Sequence, residues 1–138
     1  MIRNLQDRIH IAGGVEMPGF GLGLYKAKAG EEVYRAVRFA LDAGYKHIDT
    51  ATFYKNEADV GRAIKDSGVP REELFVATKL WPTDFPNARE TFEKSLVALG
   101  TEYIDLYMLH WPGTDEVLRY RAWDTILGLR EKGLIHAT

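Results

Sequence analysis

Four glycines close four stretches of helical spacing: Gly44, Gly68, Gly100 and Gly133, with 32 and 33 residues between the last three. An interval of that length holds one strand, one helix and two loops. Glycine just past a helix takes the left-handed conformation that ends it. The segments between helices, "YKHIDTA", "LFVATKLW", "YIDLYMLHW" and "LIHAT", are short and apolar. Strands that alternate with helices pair in parallel, and strands without polar alternation are covered on both faces. The rhythm therefore predicts a single α/β domain over residues 1–138, built on a parallel sheet.

The elements follow from periodicity. Val33, Ala36, Val37, Ala40 and Leu41 give the first helix its inner face. Val60 and Ile64 do so for the second, and Phe92, Ser95, Leu96 and Leu99 for the third. Leu118, Ala122, Ile126 and Leu129 do so for the fourth. Asn87 with Glu90 three residues on predicts a capping box at the third helix. Ahead of these, "RIHIAGGVEM" predicts a hairpin with Ala12, Gly13 and Gly14 in its turn, so that residues 1–17 form an N-terminal hairpin segment. "PGFGLGLY" is then expected as the first sheet strand. Its glycines precede and lie within the strand rather than follow it, which argues against a phosphate-binding loop.

Eighteen basic against twenty acidic residues leave a net charge of -2, so nothing favours a nucleic-acid or anionic-membrane partner. The chain has no cysteine, which excludes disulfides, thiolate metal sites and cysteine nucleophiles. No continuous apolar run marks a signal peptide or a bilayer span, so the expected location is the cytoplasm.

Ligands of parallel β/α folds bind beyond the carboxyl ends of the strands. That edge receives Asp49 and Tyr54 after the second strand, Lys79 after the third and His110 after the fourth. Trp81-Pro82 and Trp111-Pro112 end two of these strands and give the rim aromatic walls. An ammonium beside a phenol stabilises the phenolate and is expected to bring the phenol's pKa down. Asp49 supplies the counter-charge to Lys79, and the imidazole orients a carbonyl oxygen. A carbonyl between Tyr54 and His110 is ready for a hydride, which only a cofactor can donate. Taken singly, each residue has a structural alternative: a capping aspartate, a packed tyrosine, a snorkelling lysine, a core histidine. His47 points opposite to Ile48 and is read as structural, as are His10 and His136. Metal binding by Asp49 and His110 is the weaker chemistry, without a dense ligand set.

The segments "MPGFGLGLY", "GYKHIDTATFYKNEADVG", "GVPREELFVATKLW", "FEKSLVALGTEYIDLYMLHWP" and "LREKGLI" resemble the aldo-keto reductase family, in family order along the whole chain. "YKNE" is most similar to the short-loop microbial branch. The resemblance implies the N-terminal half of a (β/α)8 TIM barrel: about four β/α units preceded by a hairpin, ending at the fifth strand. It implies NADPH-dependent reduction of a small aldehyde or ketone by Asp49, Tyr54, Lys79 and His110. It also implies a cofactor-facing segment Gly23, Leu24 and Tyr25 with Asp49, and a substrate pocket of Tyr25, Trp81 and Trp111. A complete barrel needs roughly 250 residues. The half barrel is therefore expected to pair with a second copy or a complementing half, to flatten into an open sheet, or to fold only marginally. A non-catalytic module acting through such assembly is the alternative function, and a metal-dependent hydrolase a third.

Overall fold

The structure, a computed structural model, describes residues 2–138. A hairpin of β1 (Arg8–Ile11) and β2 (Val15–Pro18) opens the chain. It is followed by β3 (Leu22–Gly23), α1 (Glu31–Asp42), β4 (His47–Asp49), α2 (Glu57–Ser67), β5 (Phe75–Leu80), α3 (Ala88–Leu99), β6 (Ile104–Leu109), α4 (Glu116–Glu131) and β7 (Ile135–Ala137). Strands β3 to β7 form one parallel sheet in sequence order. Each β/α step adds the next strand beside the last, so residues at successive strand ends become spatial neighbours.

The four helix-closing glycines all have positive φ, from 65° to 91°. Between helices and sheet lies the core, in which Val33, Val37, Ile48, Val60, Val76, Phe92, Ile104 and Ile126 are almost fully buried. Tyr107 of β6 packs edge-on against Phe92 of α3, with ring centroids 5.1 Å apart. Burial pushes its phenol far above the ordinary range.

Two local expectations are corrected. The first sheet strand shrinks to Leu22–Gly23: Pro18 pairs with Arg8 in the hairpin, and the Gly19 N–H donates to Asp7 O. The capping box of α3 does not form: the side chain of Asn87 makes no cap hydrogen bond, and Glu90 pairs with Lys94 at 2.8 Å. A 3-10 segment, Pro82–Asn87, runs straight into α3 and takes the place of a distinct cap. Two of the glycines of "GFGLG" serve close packing: a Cβ on Gly19 would meet the Ile2 side chain, and one on Gly21 would lie 2.6 Å from the His47 ring.

Candidate active site

Asp49 ends β4, Lys79 lies one residue from the end of β5, and His110 follows β6. Register places Asp49 opposite Ala77 and Lys79 opposite Met108, so Asp49 and Lys79 lie on the sheet face away from the helices. His110 continues the alternation of Met108 and donates its backbone N–H to Leu80 O at 2.9 Å. Tyr54 reaches the same rim from the 3-10 turn Thr52–Tyr54. Lys55 closes that turn at φ 56°, its N–H donating to Thr52 O.

The four side chains converge. Lys79 Nζ donates to Asp49 Oδ1 at 2.6 Å and to Thr50 O at 2.8 Å. The same ammonium stands 5.3 Å from the centre of the Tyr54 ring. The Tyr54 and His110 rings are edge-to-face at 5.5 Å. A cleft of about 450 Å³ opens over them, lined by Tyr25, Phe53, Tyr54, Trp81, His110 and Trp111. Phe53 stacks on Trp81 at 4.0 Å and 21°, and His110 sets its edge against Trp81 at 5.1 Å. Tyr25, at 62% exposure, tilts over Tyr54 at 5.4 Å.

The electrostatics depart from expectation at Tyr54. Its pKa is raised, first by burial and then by the negative charge of Asp49. Lys79 is engaged by Asp49 and the Thr50 carbonyl, so its charge does not bring the phenol down in this arrangement. His110 is shifted the other way: burial and then the Lys79 charge hold its pKa below the ordinary 6.5, against a smaller opposing pull from Asp49. Its Nδ1 is buried with no hydrogen-bond partner among the described residues. His47 shares the face of Asp49 but lies lower in the sheet, edge-on to Phe75 at 5.0 Å and outside the cleft lining.

Among the residues expected to face a cofactor, Gly23 has open space where a Cβ would stand, and Tyr25 is exposed. Leu24 is different: its side chain is buried in the core and its N–H donates to Asp49 O, so only its backbone belongs to the rim. Two residues of the site are absent from the sequence reading. Phe53 forms the floor of the aromatic wall. Asn56, buried, accepts from Thr50 Oγ1 at 2.6 Å and donates to Leu24 O at 3.3 Å, tying the β3–α1 loop to the end of β4. The apolar-then-amide order of "FYKN" was the available signal for both.

The model of the Aldo/keto reductase family matches residues 19–138. The chain is 45% identical over 140 residues to the glyoxal reductase of Bacillus subtilis (strain 168), covering 99% of this chain and 50% of that protein. A crystal structure of an aldo/keto reductase from Brucella melitensis superposes with a TM-score of 0.89 at 40% identity, over 94% of this chain and 51% of that one. The Bombyx mori aldo-keto reductase in complex with NADP gives 0.82 at 33% identity, over 96% of this chain and 49% of that one. The chain thus spans about half the length of the curated relatives it matches, consistent with a half barrel of four β/α units closed by a fifth strand. Strand order, the converging rim and the family match over 19–138 together make this chain a member of the aldo/keto reductase family.

Proposed function

We propose that the protein carrying this chain reduces small aldehydes and ketones with NADPH, and that Tyr54, Lys79, Asp49 and His110 perform the acid–base part of the reaction. The observation that carries this reading is the Asp49–Lys79 pair at 2.6 Å beneath the Tyr54 ring, with His110 edge-on to the same ring. The similarity to a glyoxal reductase points to compact oxoaldehydes as the substrate class. The narrow aromatic lining of Phe53, Trp81 and Trp111 supports a small planar carbonyl.

The residues present fit one end of the cofactor: the open side of Gly23 and the exposed ring of Tyr25 border the cleft next to Tyr54. When bound, NADPH supplies the hydride that adds to the carbonyl carbon. Tyr54, its pKa raised, keeps its proton through the neutral range and gives it to the carbonyl oxygen as the C–O π bond breaks. Neutral His110 donates one N–H toward that oxygen and fixes its direction. Water then restores the proton to Tyr54, while Asp49 holds Lys79 in place beneath its ring. The products are the alcohol and the oxidised cofactor.

The test is isotopic. NADPH carrying deuterium at the transferable position is incubated with glyoxal and the protein. One deuterium bonded to the former carbonyl carbon is the expected outcome. Unlabelled product, or cofactor that is not consumed at millimolar glyoxal, contradicts the reading.

A further inference from the structure

Residues 49–52 grip Lys79 at both its ends. The ammonium is held by Asp49 Oδ1 and Thr50 O, while the backbone carbonyl of the same lysine accepts a hydrogen bond from Thr52 Oγ1 at 3.0 Å. Thr52 opens the 3-10 turn that ends in Tyr54. Within that turn, Tyr54 N–H donates to Ala51 O at 3.0 Å and Lys55 N–H to Thr52 O at 3.1 Å. The turn is thus a rigid unit, and what remains is how it docks on the end of β5. Besides the Lys79 ammonium over the Tyr54 ring, the Phe53–Trp81 stack and the Thr52 hydroxyl bond do that. An offset stack tolerates sliding along the ring planes. A hydrogen bond is directional and fixes the register of the turn against the strand.

We propose that Thr52 is a positioning residue of the Tyr54 site: its hydroxyl, anchored on the carbonyl of Lys79, sets where the Tyr54 ring stands relative to the Lys79 ammonium. The inference rests on the acid–base roles proposed above. Thr52 does not itself line the cleft, and its hydroxyl bonds to the Lys79 carbonyl, so its effect passes through the turn. Reactive groups displaced by about 1 Å cost on the order of a hundredfold in rate, so a loosened turn is visible in turnover.

Thr52→Val keeps the shape and removes the donor; Thr52→Ser keeps the donor. With glyoxal and NADPH, Thr52→Val is expected to lower kcat about tenfold or more with KM within about twofold, and Thr52→Ser to restore kcat. In parallel, the 13Cζ resonance of Tyr54 is assigned as the line missing from Tyr54→Phe. It is expected to shift or broaden in Thr52→Val and to keep its wild-type position in Thr52→Ser. A Tyr54 resonance in Thr52→Val that coincides with wild type overturns the proposal, as does an unchanged kcat. Absence of turnover in the wild-type protein strikes the reductase reading instead, and the Tyr54 resonance alone then decides whether Thr52 positions the ring.

Discussion

Lys79 and Asp49 form a 2.6 Å ion pair at the ends of adjacent parallel strands, with the lysine side chain 14% and the aspartate 30% exposed. The parallel register that sets Asp49 beside Ala77 brings the ends of β4 and β5 level, and the Thr50 carbonyl completes the lysine's surroundings. Removing one partner of such a pair leaves the other partly buried and uncompensated. Asp49→Asn is expected to lower stability by about 1–3 kcal/mol, below the range for a fully buried pair because solvent still reaches both groups. Urea unfolding at neutral pH checks this; an unchanged midpoint contradicts it.

The histidines set the acid limit. His110 and His47 both have folded-state pKa values below 6.5, burial being the first cause for each. A depressed value means that the unfolded chain binds protons more readily. The stability these groups contribute is therefore complete above about 6.5 and lost as pH falls through the lower folded values. Since the Lys79 charge is the second cause at His110, Lys79→Met is expected to move the His110 titration upward. NMR titration of the imidazole carbons reads this directly, and a midpoint that stays or falls rules it out.

Glu57 behaves in the opposite sense. It accepts from Thr78 Oγ1 at 2.6 Å and Ser95 Oγ at 3.2 Å, and burial raises its pKa. Its protonated form is favoured by folding, so its contribution is present below the ordinary 4.5 and is lost as pH rises through the folded value. Glu57→Leu leaves two hydroxyls without an acceptor and is expected to cost about 1–3 kcal/mol at neutral pH. Adding Thr78→Val and Ser95→Ala to it should recover part of that loss; no recovery in a triple variant would show that the hydroxyls are not the cause.

Helices α2 and α3 approach closely at Gly61. A Cβ there would lie 2.8 Å from Leu99 Cα and closer still to Ala98 O, both backbone atoms with no room to yield. Gly61→Ala is expected to destabilise by about 1–3 kcal/mol despite alanine's better helix propensity. A thermal midpoint at or above wild type would contradict the packing described.

Much of the fold was legible because it rests on local rules. Glycines 44, 68, 100 and 133 need positive φ wherever they end a helix, and apolar strands between helices force parallel pairing. The convergence of Asp49, Lys79 and His110 was readable from strand ends alone, since sequential strand order makes neighbours of them. What escaped depends on docking and solvation. Phe53 carries little signal of its own beside Tyr54, because its partner, Trp81, stands on the next strand end. The upward shift of Tyr54 comes first from burial and then from the Asp49 charge, neither of which spacing reveals. Asn87 has the composition of a cap, yet the 3-10 segment before it leaves that side chain without the role.

Tyr54→Phe is the measurement closest to the central claim, that the phenol is the proton donor at this rim. It removes one oxygen and leaves the ring contacts with Tyr25 and His110 in place. With NADPH and glyoxal, kcat is expected to fall by about 100-fold or more while the unfolding midpoint stays near wild type. A variant that turns over glyoxal within about threefold of the wild-type rate would contradict the account.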